Sequence, residues 1–437
     1  QQHQQQQAPV IVLSQEELSR HALSIQKQAA DGLMCLLRNI GAAYRLLSRY
    51  NCQGSIDGFL SLPQHQVETH FVLRSIAKAH FHANDYQASV RYFERVVATA
   101  PQLVQELEFY STALWHLQRE VQLSALAQEL VGISRSKAAS WCAVGNCFSL
   151  QKEHDAAIKF LSRAVQVEPE CPYAYTLLGH EHIATEEMDR ALGCYRNAIR
   201  ISPRHYNAWY GIGLVLYKQE KFSHAEYHFR KALNIHPNSC ILLCHIAVVQ
   251  HALGKSNASL QTLSKALSLE PNNAMCRYNR ASVYLDLAQP STALQDLTIL
   301  QPLVPKEANV YLLIGRAHQK LGDTLLAQMN FAWALDLDPK GAAAGAGVAG
   351  AVVDGAGVVA GGVSGAPLPD HLNHSPNSTG GDDVSLVSLD DTGESEHHHQ
   401  QQQLQQLDDE QLQQASSSPS LQQQNVDPVQ QMPPEAL

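Results

Sequence analysis

The 437-residue sequence is poor in the groupings that chemistry usually needs. Its nine cysteines stand at 35, 52, 142, 147, 171, 194, 240, 244 and 276, and none forms a CxxC pair. Thiols scattered over small or apolar helical positions read as buried and reduced, which suits a cytosolic or nuclear compartment. Zinc sites, by contrast, bring closely paired thiolates. No uninterrupted apolar run approaches the roughly 20 residues that cross a bilayer. No basic-then-apolar signal segment occurs, and the chain opens on Gln1 rather than methionine, as a piece of a longer protein would. A Gly-rich phosphate loop, an HExxH and a nucleophile motif are all missing, so neither an enzyme nor a cofactor is expected. Lys and Arg are absent from Gly341 onward, where 13 acidic residues fall. Removing those 13 negative charges from the net −10 leaves +3 for residues 1–340. Such a near-neutral body offers no basic face for nucleic acid.

What the sequence has in abundance is periodicity. Prolines stand at 169, 203, 237, 271, 305 and 339, always 34 residues apart. Units ending two residues after each proline run 138–171, 172–205, 206–239, 240–273, 274–307 and 308–341. Their fourth position reads Trp141, Tyr175, Trp209, Leu243, Arg277 and Tyr311. The eighth is Gly145, Gly179, Gly213, Ala247, Ala281 and Gly315, and the twentieth Ala157, Ala191, Ala225, Ser259, Ala293 and Ala327. The twenty-fourth is Leu161, Tyr195, Phe229, Leu263, Leu297 and Phe331. A period of 34 with this order of small and large residues is the pattern of the tetratricopeptide repeat. Small residues at eight and twenty let two antiparallel helices approach. Large ones at four and twenty-four fill the space between helices and units, and the proline stops the second helix.

Upstream the pattern fades. Residues 70–103 keep Leu73, Ile76, Ala77, Phe93 and Pro101 at the right offsets, 104–137 keep only the length, and 36–69 look like a further degenerate unit. The organisation expected is therefore a helical lead-in over 10–35, degenerate repeats over 36–137 and six regular repeats over 138–341. Ser14 and Glu17 form a capping box for the lead-in. The expected fold is all-α, a right-handed superhelix held together by contacts between neighbouring units. The Gln-rich residues 1–9 and the Gly/Ala, acidic and Gln-rich tail 342–437 have too little apolar burial to offset ordering entropy, so both are expected to be disordered. In that tail His397, His398 and His399 read as polar tract rather than metal site, and Ser375-Pro376 and Ser418-Pro419 are close to chance.

The concave side of such an array, lined by the first helix of each unit, fits a peptide or a helix better than a small metabolite. Inner positions two, five and nine across 138–239 are Ala139, Cys142, Asn146, Tyr173, Thr176, His180, Asn207, Tyr210 and Leu214. None is Lys or Arg, which argues against a clamp for an acidic peptide, since carboxylates there need charge-assisted donors. The candidate partner-binding residues are Asn146, Thr176, His180, Asn207, Tyr210 and Leu214, with Glu181 at the lateral tenth position. Each has a structural alternative. The asparagines could bond within their own turns, His180 could sit between repeats, and Tyr210 and Tyr217 could pack between helices. Trp141 and Trp209 read as core. His180 and His182 point to different faces of one helix, against a metal.

Residues outside the generic pattern carry a closer resemblance. "SWCAVGNCFSLQKEHDAAIKF" (140–160), "AYTLLGHEHIATEEMDRAL" (174–192), "PRHYNAWYGIGLVLYKQEKFSHAE" (203–226) and "LLCHIAVVQHALGKS" (242–256) resemble the tetratricopeptide scaffold subunits of the anaphase-promoting complex (the cyclosome), the cell division cycle protein 27 type. That resemblance implies a non-catalytic subunit of a ubiquitin ligase driving mitotic exit, in the nucleus and cytoplasm of mitotic cells. It implies other subunits of that complex as partners, and capture of the C-terminal Ile-Arg tails of coactivators and of the Doc-domain subunit. The family is a homodimer through an N-terminal repeat domain; this sequence aligns after it, so dimerisation by this chain alone is not expected. For an Ile-Arg tail, Asn146, Asn207 and His180 would face the carboxylate, Leu214 and Tyr210 the isoleucine, and Glu181 the arginine.

Overall fold

The computed structural model describes residues 15–338. The segments expected to be disordered, Ser14 of the capping box, Pro339, the His397–His399 run and both Ser-Pro pairs lie outside the described residues. Among the described residues there are nineteen helices and no strand. They open with α1 (Gln15–Ser48), α2 (Cys52–Leu60) and the one-turn α3 (Gln64–Val67). The pairs α4 (His70–His82) with α5 (Tyr86–Thr99) and α6 (Leu107–His116) with α7 (Glu120–Ile133) follow. Next come α8 (Ala138–Leu150) with α9 (His154–Val167), α10 (Pro172–Ala184) with α11 (Met188–Ile201), and α12 (Tyr206–Lys218) with α13 (Phe222–Ile235). The last three pairs are α14 (Cys240–Ala252) with α15 (Ser256–Leu269), α16 (Ala274–Asp286) with α17 (Pro290–Leu300), and α18 (Ala308–Leu321) with α19 (Thr324–Leu337).

The lead-in and the first helix of the unit at 36–69 are one continuous helix, α1. No proline interrupts residues 15–48, and Leu33 to Leu37 are good helix formers, so nothing halts the helix near residue 35. Its C-terminal half packs on the first unit through Ala43 and Leu47, while Leu23, Ile25, Leu33 and Met34 are exposed.

Period 34 is clearest in the backbone. Ten described residues have positive φ, and nine of them, Tyr50, Asn84, Gln118, Lys152, Glu186, Glu220, Gly254, Ala288 and Gly322, are spaced 34 apart. Each closes the first helix of a pair. The next amide then reaches back to the carbonyl five residues earlier, as Glu153 does to Phe148 at 2.9 Å and Lys221 to Leu216 at 2.9 Å. Only two of the nine are glycine, although the left-handed conformation costs other residues about 1–2 kcal/mol. Packing of the two helices outweighs that cost, which is why this position carries no sequence signal. The tenth, Glu106, caps α6 and is held by Arg74 at 3.0 Å and Lys78 at 2.8 Å.

The prolines act as their chemistry requires. The residues before them, Glu168, Ser202 and Glu270, are extended, with φ of −134°, −134° and −129°. In four of the six regular units position four supplies a polar tip that reaches the carbonyl six residues upstream, in the loop between units. Trp141 Nε1 donates to Arg135 at 2.8 Å, Trp209 Nε1 to Pro203 at 3.0 Å, and the Tyr311 hydroxyl to Pro305 at 3.1 Å. Arg277 does the same with its guanidinium, 2.9 Å to Pro271. Trp141 is buried as core, but Trp209 is only half-buried and stacks on His228, so it serves the loop as much as the core.

Position eight faces position twenty-four of its own unit. A Cβ at Gly145 would lie 2.6 Å from Leu161, at Gly179 2.7 Å from Tyr195, at Gly213 2.6 Å from Phe229, and at Gly315 2.5 Å from Phe331. The ring of Phe229 is fully buried and has nowhere to retreat. Gly213→Leu should therefore destabilise the array by about 1–3 kcal/mol, the usual range for overpacking. In a nearest-neighbour solenoid the loss of hydrogen-exchange protection should concentrate in residues 172–273. Protection equal to wild type throughout would show that the two helices do not meet there.

Candidate functional site

The inner face is built by α6, α8, α10, α12 and their successors, and hydrogen bonds between consecutive first helices hold it in register. Asn146 Nδ2 donates to Ser111 Oγ at 2.9 Å and to Thr112 Oγ1 at 3.0 Å. The Tyr210 hydroxyl lies 2.9 Å from His245 Nε2, and Asn279 Nδ2 reaches Cys244 Sγ at 3.3 Å. Each of these links spans 34 or 35 residues, because equivalent helices repeat at that interval.

Against this frame the candidate residues divide. Asn146 and Thr176 join one network: the Tyr173 hydroxyl donates to Thr112 Oγ1 at 2.9 Å, and Thr176 Oγ1 donates to the Tyr173 carbonyl at 2.7 Å and lies 3.4 Å from His205 Nε2. The amide of Asn146 thus serves the neighbouring unit rather than its own turn. Glu181 turns to the lateral edge. Its Oε1 accepts from Ser149 Oγ at 2.7 Å, and its Oε2 sits 2.8 Å from His154 Nδ1. Trp115 Nε1 extends that edge by donating to Ser149 Oγ at 3.2 Å. His180 Nδ1 is 3.1 Å from the Tyr195 hydroxyl, within its own unit. Tyr210 and Leu214 pack with Phe229, Ile246 and Val249 between α12, α13 and α14. Asn207, half-buried in the first turn of α12, has no side-chain hydrogen-bond partner among the described residues.

Sequence reasoning passed over one inner residue. Glu108 occupies position five of the degenerate unit 104–137, the register that holds Cys142, Thr176 and Tyr210 in the regular units. Burial pushes its carboxyl up to about 7, with repulsion from Glu106 and Glu168 adding to the effect and Lys78 opposing it. Its carbonyl accepts from Ser111 and Thr112, both at 2.9 Å, so it lies one turn from the Asn146 network. Extending the inner positions upstream by one period would have found it. Burial also pushes the Tyr173 phenol well above its usual range and His205 down to about 4. Burial thus favours the neutral forms of Tyr173 and His205, beside a Glu108 carboxyl held above the usual carboxylate range. Among the described residues no three His, Cys, Asp or Glu side chains gather as metal ligands would, and no helix is long and apolar enough to cross a membrane.

Family models described as tetratricopeptide repeat match residues 138–171, 172–205, 206–239, 242–273, 262–295 and 308–340. The cell division cycle protein 27 homolog of Homo sapiens is 54% identical over 148 residues, 34% of this chain and 18% of the human protein. Anaphase-promoting complex subunit 3 of Schizosaccharomyces pombe is 42% identical over 161 residues, 37% of this chain and 24% of its own length. The matched stretch thus spans only about a fifth of these relatives. The crystal structure of the APC/C hetero-tetramer Cut9-Hcn1 superposes with a TM-score of 0.60 at 18% identity, over 68% of this chain and 58% of that one, a likeness of fold. Residues 138–340 thus carry tetratricopeptide repeats, and this chain is similar over 148–161 residues to cell division cycle protein 27 and anaphase-promoting complex subunit 3.

Proposed function

We propose that this chain is a non-catalytic scaffold subunit of the anaphase-promoting complex, acting in cell-cycle-regulated ubiquitination in the nucleus and cytoplasm of mitotic cells. The observation that supports this is the 42–54% identity to cell division cycle protein 27 and anaphase-promoting complex subunit 3 over 148 to 161 residues. Affinity purification of the chain from mitotic cells tests it, since the other subunits should come down with it. Recovery of the chain without them would refute the reading.

Within that role, the inner face of units 138–239 is the site for C-terminal Ile-Arg tails of coactivators and of a Doc-domain subunit. A tail of this kind presents a carboxylate, an apolar side chain and a cation. The carboxylate meets the amide of Asn207, which has no side-chain partner among the described residues, with Asn146, Thr176 and His180 on the two preceding units. Tyr210 and Leu214 line the isoleucine side. Glu181 takes the arginine where its pairing with His154 opens, and Glu108 is a second acceptor, since a bound cation would favour its ionised form. Asn207→Ala combined with Leu214→Ala should weaken an Ile-Arg-ended peptide about 10- to 100-fold in fluorescence anisotropy, as loss of a charge-assisted hydrogen bond implies. Leu214 also packs between helices, so circular dichroism must show an intact array in the same variant. Unchanged affinity would move the groove to units 240–341.

A further inference from the structure

The inner face is also where the array meets itself. Arg204 Nη2 donates to the Ser48 carbonyl at 3.0 Å, across 156 residues of sequence. Beside that bond the Tyr50 ring stands edge-on to Tyr206 at 5.1 Å, to His236 at 4.8 Å and to His82 at 5.0 Å. Tyr206 in turn stacks on His236 at 5.0 Å. From His82 the aromatic contacts continue inward through Phe109 at 5.7 Å to Tyr173, 4.7 Å further on. Tyr50 is the left-handed residue that turns α1 into α2, whereas His236 ends α13. A solenoid whose repeats touch only their neighbours has no such contacts.

We propose that Tyr50, Arg204, Tyr206 and His236 form an axial clasp that locks one turn of the superhelix. The clasp fixes the curvature of the inner face and makes units 36–239 respond as one block. Mechanically it joins a turn in the first degenerate unit to the start and end of the unit at 206–239. Taken with the tail-binding reading, on which this one consequence rests, an occupant that changes the curvature of 138–239 works against the clasp.

The groups facing the clasp make it sensitive to acid. They are Lys78 and His82 on α4, Tyr86 on α5, Tyr173 on α10, Arg204 and His205 before α12, and Cys52 on α2. Burial holds His236 and His205 down to about 4 and His82 well below its usual range, with Lys78 adding to the shift of the last two. Because an exposed histidine titrates near 6.5, protons bind the opened state first. Stability contributed by the closed clasp is therefore intact at pH 7 and declines as pH falls from about 6.5 toward 4.

A double-mutant cycle on the full chain tests the proposal. Tyr50→Ala, His236→Ala and the pair are compared by urea denaturation at pH 7. Side chains this far apart in sequence should act additively in a nearest-neighbour array, whereas a clasp makes the second substitution cost much less once the first is present. Additive midpoint shifts would overturn the clasp. Arg204→Gln, at an exposed side chain outside the core, guards against unfolding. It should raise hydrogen exchange of the amides at 49–52 about ten-fold, the equivalent of one lost hydrogen bond to a charged group. Unchanged exchange there would also overturn it. Neither readout involves a peptide, so loss of Ile-Arg binding alone would count against the tail site and not against the clasp.

Discussion

Tyr195→Ala should lower the stability of the array by about 3–5 kcal/mol, the range for deleting a fully buried aromatic ring. Tyr195 has no exposed surface and is packed against Gly179 of its own unit and Gly211 of the next. Both glycines leave room for it: a Cβ at Gly179 would stand 2.7 Å from the ring, and one at Gly211 would overlap it outright. The ring therefore joins α10, α11 and α12, and removing it opens a cavity shared by two units. Urea denaturation should show the loss, and hydrogen exchange should place it in 172–239. Tyr195→Phe keeps the ring and gives up only the contact with His180, so it should cost about 1 kcal/mol. An alanine variant no worse than the phenylalanine one would show that the ring does not join the units.

Asp296→Ala should be nearly as damaging, at about 3 kcal/mol. The carboxylate is buried and receives Arg280 Nε at 2.7 Å and Arg277 Nη1 at 3.4 Å. Breaking a buried pair by removing one partner costs about 3–5 kcal/mol, because the remaining charge is left uncompensated. The two arginine side chains keep 12% and 20% of their surface in solvent, which places this site at the low end. Asp296→Asn, which keeps the acceptor but not the charge, should fall between wild type and alanine. Equal midpoints for all three proteins in chemical denaturation would mean that the arginines are satisfied by water. The same carboxylate explains Arg277, the charged residue at position four. Its guanidinium replaces the usual aromatic, keeps the bond to the Pro271 carbonyl, and needs Asp296 because it carries a charge the aromatic lacks.

The repeat was legible in the sequence because its causes are local or recur at fixed offsets. A proline forces its predecessor to extend, and a glycine at position eight leaves space for the side chain sixteen residues later in the same hairpin. Neither effect needs knowledge of the rest of the chain. The candidate face was legible only as a register. Helical spacing put Asn146 at inner position nine and Thr176 and Tyr210 at inner position five, but it could not say which of their polar atoms the neighbouring unit had already engaged. Asn146 is bonded to Ser111 and Thr112, Glu181 is turned to Ser149 and His154, and Asn207 has no side-chain partner among the described residues. For Asn146 and Glu181 the outcome depends on residues 27 to 35 positions away in the preceding unit, which for Asn146 is one whose own pattern is degenerate.

By itself the sequence determined the helix pairs of the six regular units and their length, since hydrophobic spacing and the proline and glycine positions act within one or two units. Two matters were decided only by the tertiary structure. One is the left-handed residue every 34 positions, where seven of nine side chains are not glycine: packing of the paired helices imposes that conformation whatever residue stands there. The other is the meeting of Tyr50 and Ser48 with Arg204, Tyr206 and His236. A solenoid's period states how each unit sits on the next. Whether the ends of one turn touch depends on small rotations accumulated over five units, which no local pattern encodes.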